Sequence, residues 1–318
     1  MRVAVMDDYQ DAFRSLDCFG KIAGHEVTVF HEAAGSQDAL VEMLKDADAV
    51  ILTQQRTAMP RTVLERLPKL KLISQTGRNT AHIDVAACKE RGVVVSAGGS
   101  GGPNATAELA WGLIIGAARH IPAEVQALKD GRWQTSLGTG LAGKVLGVYA
   151  YGRIGSIMAQ VGKAFGMTIT CWGREGSLAR ARADRFAVAS SRETFFAEAD
   201  VVSLHLPLNE HTRGIVSAAD LSRMKTSAIL VNTSRAGIIE AGALEAALEN
   251  GRPGRAGIDV YETEPVLGGH HPLLALKNAV CTPHLGYVEK ATYENLFATA
   301  IDQILAFEQD QPINVVTG

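Results

Sequence analysis

The chain has little that would staple, anchor or charge it. Its 318 residues include four cysteines, Cys18, Cys88, Cys171 and Cys281, scattered with no C-x-x-C pair. Disulfide frameworks and zinc knuckles need closer spacing or more cysteines. The expected state is free thiols in a reducing cytoplasm, with no bound metal. An excess of charge is also missing: 31 basic against 34 acidic residues gives a formal net charge of -3. That excludes the electrostatic footprint expected of a nucleic-acid or anionic-membrane partner. Long apolar runs are absent. The greasiest stretch, residues 109–118, is too short to span a bilayer. The N-terminus turns acidic at Asp7 and Asp8, which is wrong for a signal peptide. No internal repeat or low-complexity segment is visible. What remains is a chain that is 47% hydrophobic, enough for two domains with a core each.

Short β-branched runs alternate with amphipathic segments. Strands are expected at 2–6, 49–53, 71–75 and 93–96, with helices at 37–45, 61–67 and 84–91 between them. A second series of strands is expected at 145–150, 168–172, 201–206, 228–233, 257–260 and 279–282. Alternating strand and helix means parallel sheets covered on both faces. The expected fold is therefore α/β, with two doubly wound, Rossmann-like domains. The glycine-rich stretch 97–103 reads as the join. One long helix is expected from 104 to 129, its front half apolar on every side and so buried all round, between domains or between subunits. A last helix, 289–308, is expected to return to the first domain.

The second series opens with Val145-Leu146-Gly147-Val148-Tyr149-Ala150-Tyr151-Gly152-Arg153-Ile154-Gly155. This is a strand, a tight turn and a helix start, the context of the dinucleotide fingerprint G-x-G-x-x-G. Ala150 takes the first glycine position. Gly152 lets the backbone approach a pyrophosphate, and Gly155 allows close helix–strand contact. The helix start supplies N–H groups and a positive dipole end. An ordinary βα turn is the plainer reading of the same residues. An acidic residue for the ribose 2′-hydroxyl is expected after the second strand. Gly173 and Arg174 stand there instead. An Arg pairs with a 2′-phosphate, so NADP is as open as NAD. Glu175 is an alternative partner for the 2′-hydroxyl of NAD, and a solvated charged loop is the plain reading.

Three further segments follow strands: Asn232-Thr233-Ser234-Arg235, Asp259-Val260-Tyr261-Glu262-Thr263-Glu264-Pro265 and Thr282-Pro283-His284. Ligands bind outside the carboxyl ends of strands in open α/β sheets. Arg235, Glu264 and His284 are thereby candidates for one crevice. Taken singly, each has a dull reading as a surface ion-pair partner, a loop residue or a cap. Together they supply what reduction of a 2-oxo acid needs. A guanidinium fork holds the carboxylate and polarises the carbonyl. An imidazole donates the proton. A carboxylate stabilises the imidazolium.

These segments resemble the D-isomer-specific 2-hydroxy acid dehydrogenase family. The resemblance runs over nearly the whole chain, including 77–84, Ala105-Thr106-Ala107-Glu108-Leu109-Ala110, 143–155 and Val201-Val202-Ser203-Leu204-His205-Leu206-Pro207-Leu208. It implies an NAD(P)-dependent oxidoreductase interconverting a 2-oxo acid and a D-2-hydroxy acid. It implies that Arg235 binds the substrate carboxylate, that His284 is the general acid/base and that Glu264 orients and charges it. Thr106, Gly152, Arg153, Ile154, His205, Pro207 and Thr233 would line the cofactor site, with Asp259 at the nicotinamide carboxamide. Arg56, Gly77 and Arg78 would meet the substrate, Gly77 and its neighbours through backbone N–H groups. The implied domains are a flavodoxin-like, substrate-binding one (1–99 with 286–318) and a nucleotide-binding Rossmann one (100–285). The implied assembly is a homodimer in which the long helix takes part. The chain departs from the family pattern at Ala150, at Gly173-Arg174 and at Arg78-Asn79-Thr80, where a Val-Gly-aromatic sequence is usual.

Two other classes compete. Gly98-Gly99-Ser100-Gly101-Gly102 matches the nucleophile pattern of serine hydrolases, with Asp259 and His284 following in order. It sits in a glycine run and lacks an upstream oxyanion motif. A non-enzymatic NAD(H)-sensing protein on the same fold is the other, since fold does not fix function.

Overall fold

The computed structural model describes residues 1–99 and 101–317. Ser100, the nucleophile of the hydrolase alternative, lies outside them. The chain divides into two compact units, one formed by Met1–Gly102 with Tyr287–Gly318 and the other by Pro103–Gly286.

The first unit is built on strands β1 (Arg2–Val5), β2 (Glu26–Val29), β3 (Ala49–Leu52), β4 (Leu72–Thr76) and β5 (Val94–Gly98), with helices α1 (Gln37–Leu44), α2 (Arg61–Leu64) and α3 (Val85–Glu90). All strands are parallel in the order β2-β1-β3-β4-β5, the flavodoxin-like order. β3 is buried at all four positions, as a strand covered on both faces must be. One face packs against Leu40, Leu44, Val63, Leu64 and Cys88. The other packs against Phe13, Tyr293, Phe297, Ile301 and Ile304. The last four belong to the C-terminal helix, Lys290–Glu308. Each such side chain contributes about 1.5–3 kcal/mol by leaving water. Strand β2 was not expected from sequence. It is an edge strand with only Val29 buried, so the apolar signal of a core strand is missing.

The second unit begins with α4 (Pro103–Arg119) and α5 (Ile121–Lys129). It continues β6 (Val145–Tyr149), α6 (Arg153–Ala164), β7 (Thr168–Trp172), α7 (Glu175–Ala183), β8 (Ala187–Val188), α8 (Arg192–Glu198), β9 (Val201–Leu204), α9 (Ala218–Arg223), β10 (Ile229–Asn232), α10 (Ala243–Glu249), β11 (Arg255–Ile258), α11 (Pro272–Ala275) and β12 (Ala279–Cys281). The parallel sheet runs β12-β11-β10-β9-β6-β7-β8. Strand order reverses between β6 and β9, where doubly wound sheets bind ligands.

One expectation is corrected here. The single helix over 104–129 is two helices. His120 takes a left-handed backbone, φ 57°, and Pro122 cannot donate back to Ala118. The Ala118 carbonyl accepts instead from Thr139 N–H at 2.8 Å. Within the single chain the front half of that helix is buried along part of its surface. Ala107, Ala110, Trp111, Leu113 and Ile114 are buried, while Leu109 and Ile115 are only half-buried and Gly112 is exposed. The four cysteines are free, three of them buried. Burial pushes the Cys171 thiol up to about 12. Among the described residues, no helix is long and apolar enough to cross a membrane.

Candidate active site

Arg235, Glu264 and His284 follow β10, β11 and β12, three neighbouring strands, at their carboxyl ends. His284 Nδ1 lies 2.6 Å from Glu264 Oε2. Glu264 Oε1 accepts from Tyr261 N–H at 2.9 Å. Burial works to raise the Glu264 carboxyl. The His284 hydrogen bond and charge, the Tyr261 N–H and the Arg235 charge outweigh it and hold the carboxyl below its ordinary value. The other two predicted residues thus both act on the Glu264 carboxylate. Arg235 is exposed and donates from Nη1 to Ser234 O at 2.7 Å. Asn232 fixes its backbone by donating to Arg235 O and accepting from Ser234 N–H.

The backbone of His284 is left-handed, φ 54°, a conformation disfavoured for a residue with a Cβ. Asp259 holds the turn there. Its carboxylate is fully buried. Oδ1 accepts from Thr282 Oγ1 at 2.6 Å and Leu285 N–H at 2.7 Å, and Oδ2 from Gly286 N–H at 2.9 Å. Burial raises this carboxyl, and the three donors and the His284 charge oppose the rise. Thr106 donates from Oγ1 to Gly286 O at 2.8 Å. Asp259 and Thr106 therefore brace the His284 turn, a task not foreseen from sequence. Tyr261 adds another brace, donating from its hydroxyl to Thr282 O at 3.0 Å.

The fingerprint loop leaves β6 for α6. A Cβ on Gly155 would fall 2.5 Å from Ala150 O, so a side chain there would push helix from strand. A Cβ on Gly152 would meet nothing within 4 Å, so the loop is open on that side, where Arg153 and Ile154 begin the helix. Ala150 takes a left-handed φ, 74°, at a cost on the order of 1 kcal/mol for a residue with a Cβ. Missed by the sequence reading, Ser177 Oγ accepts from Tyr151 N–H at 2.6 Å and Arg180 Nη2 donates to Tyr151 O at 3.1 Å, anchoring the loop to α7. Two buried polar atoms at the ends of β9 and β10 lack a partner among the described residues: His205 Nδ1 and Thr233 Oγ1. Burial pushes the His205 imidazole down to about 4, so the ring is neutral. Pro207 lies exposed beyond it. An open glycine, a helix start and two orphaned polar atoms at the switch point are what a dinucleotide requires. Arg174 is exposed just before α7, and its guanidinium makes no hydrogen bond or ion pair among the described residues. Glu175 is engaged by Arg182 at 2.5 Å.

The remaining predicted residues belong to the first unit. Arg56 is half-buried. It donates to Asp7 O at 2.6 Å, with Tyr9 and Tyr287 rings 4.8 and 5.4 Å from its guanidinium carbon. Gly77 has φ 86°, a conformation that suits glycine. Its own N–H donates to Gly98 O at 2.6 Å. Backbone donors for a carboxylate at this turn therefore fall to its neighbours, among them the exposed Arg78. Asp8, Asp11 and His31 also offer ligand atoms within 4.8 Å of one another. Both Asp8 carboxylate oxygens already accept from the N–H groups of Ala12 and Phe13.

Residues 111–286 match the family model described as D-isomer specific 2-hydroxyacid dehydrogenase, NAD binding domain. A glyoxylate reductase of Aeropyrum pernix is 35% identical over 88% of this chain and 85% of its own length. A hydroxypyruvate reductase of Thermotoga maritima is 36% identical over 79% of this chain and 81% of its own. Among solved structures, a phosphoglycerate oxidoreductase from Vibrio cholerae is 45% identical with a TM-score of 0.94, covering 98% of this chain and 99% of that one. The chain belongs to the D-isomer specific 2-hydroxyacid dehydrogenase family, NAD(P)-dependent enzymes acting on CH–OH groups.

Proposed function

We propose that the protein reduces a short 2-oxo acid to the D-2-hydroxy acid through Arg235, Glu264 and His284. The observation that carries this reading is the 2.6 Å contact of His284 Nδ1 with a carboxylate that also feels the Arg235 charge. Thr106, Gly152, Arg153, Ile154, His205, Pro207, Thr233 and Asp259 would hold the nicotinamide cofactor, which supplies the hydride when bound. Arg235 binds the substrate carboxylate with its fork and draws charge onto the carbonyl oxygen. With Nδ1 held by Glu264, proton transfer to that oxygen falls to His284 Nε2. The carboxylate stabilises the imidazolium that donates it. Arg56 and the backbone that follows Gly77, Arg78 included, serve the substrate. Residues 100–285 are the nucleotide-binding domain, and 1–99 with 286–318 the substrate-binding one. Glyoxylate, hydroxypyruvate and phosphohydroxypyruvate are the first acids to try, since relatives carry the names of such reductases. An unengaged Arg174 favours NADPH, and free thiols fit a cytoplasmic location.

The test is oxidation of NADH and NADPH across a panel of 2-oxo acids by the wild type and His284→Ala. The variant should lose roughly 10²–10⁴ in kcat while folding normally. Near-wild-type turnover removes the assignment.

A homodimer completes the proposal. Exposed apolar side chains gather on α5 and the segment after it: Val125 at 48%, Leu128 at 59%, Trp133 at 76% and Leu137 at 93% exposure. Patches of this kind mark interaction surfaces. Light scattering should give twice the chain mass, and Trp133→Ser with Leu137→Ser should shift it toward the monomer. A wild-type monomer at micromolar concentration refutes the dimer.

A further inference from the structure

Beneath the Gly77 turn lies a buried polar network that the reaction scheme does not use. Gln75, on β4, has no exposed surface. Its Nε2 donates to Gln54 O at 2.7 Å and to Thr76 O at 2.8 Å. Both partners are carbonyls, so the amide orientation is fixed and Oε1 faces the other way. That oxygen lies 3.2 Å from His82 Nε2. An amide oxygen only accepts, so His82 carries its proton on Nε2. Nδ1 of the same ring is buried with no partner among the described residues. A second proton would sit there without an acceptor, and burial accordingly pushes His82 down to about 4.

The network ties together the segments assigned to substrate. Gln54 lies two residues before Arg56, and its N–H donates to Thr76 Oγ1 at 2.8 Å. A Cβ on Gly77 would come 3.3 Å from Gln54 Nε2, so the two turns are in close packing. His82 closes the far end of the Gly77 loop, with its carbonyl accepting from Met59 N–H at 2.8 Å. One side chain, Gln75, thus connects the Arg56 turn, the start of the Gly77 loop and the end of that loop. A loop held at both ends presents its backbone donors in one geometry, and preorganisation of that kind sets binding strength.

We propose that Gln75 and His82 are positioning residues for the substrate carboxylate, fixing the backbone of residues 77–82 through the amide–imidazole hydrogen bond. The inference rests on the reading that this loop meets the carboxylate. Its test uses the full-length protein. His82→Leu removes the donor and leaves Gln75 Oε1 unsatisfied. The expected result is about a tenfold rise in KM for the 2-oxo acid, as one buried hydrogen bond warrants. The KM for the reduced cofactor and kcat should stay within about twofold. His82→Gln, whose Nε2 reaches the same point, should restore the wild-type KM. Hydrogen exchange of amides 77–84 should quicken in His82→Leu and not in His82→Gln. Unchanged exchange in His82→Leu overturns the proposal and leaves the carboxylate reading intact. Faster exchange with an unchanged oxo-acid KM overturns both. If His82→Leu does not fold, Gln75→Met is read the same way, and an unchanged KM there overturns the proposal.

Discussion

The turn at 282–286 and the loop at 173–176 both follow a strand of the same parallel sheet, yet they are held very differently. In the first, a fully buried carboxylate gathers three donors and keeps His284 in a left-handed backbone. In the second, Arg174 is exposed and unengaged among the described residues, and Glu175 pairs with an exposed Arg182. An exposed ion pair is worth about 0–1 kcal/mol, whereas each unsatisfied buried donor costs about 1–3 kcal/mol. Geometry that must not drift is fixed from below by buried groups. The loop proposed to select the cofactor is left to the surface.

Breaking the buried side should have the largest effect. Asp259→Ala strands three donors, so urea denaturation should show a loss of roughly 3 kcal/mol. Turnover should fall about a hundredfold through misplacement of His284. Normal kinetics in a destabilised variant would separate the brace from the chemistry. Next comes Glu264→Gln, expected to lower kcat about tenfold to a hundredfold by removing a charged partner. The stability sign follows from a Glu264 carboxyl held below its ordinary 4.5. The advantage of wild type over Glu264→Gln should be full above pH 4.5 and shrink as pH falls through the folded value. Equal pH profiles for the two proteins would argue against the pairing. The smallest effect belongs to the exposed loop. Arg174→Ala should weaken NADPH about tenfold and NADH less than twofold, by fluorescence titration. Equal losses would exclude a role in selecting the 2′-phosphate.

The clustering of the candidate site was legible because its side chains follow the ends of neighbouring strands. Arg235, Glu264 and His284 each follow a strand, and strand ends are where ligands bind in open parallel sheets. What holds those residues was not legible. Asp259 reaches across more than 20 residues to Leu285 and Gly286, and Gln75 acts through Gln54 and His82. No periodicity records a hydrogen bond between distant segments. The split between α4 and α5 was readable in principle, since Pro122 is a signal. The strong helical pattern on both sides hid it. Strand β2 escaped because an edge strand half open to water lacks the apolar run that marks its neighbours.

The first unit is discontinuous, and this orders events during synthesis. Its five-stranded sheet is complete once residue 98 has left the ribosome, but one face then lacks Tyr293, Phe297, Ile301 and Ile304. At about 5–20 residues per second, the intervening 103–286 stretch takes roughly 10–40 s to make. For that interval, and until residues 290–304 follow, the nascent sheet shows an uncovered apolar face, and the unit encoded later has its full sequence first. The unit that starts first is the one that finishes last, and its waiting face is where a chaperone would have most to do.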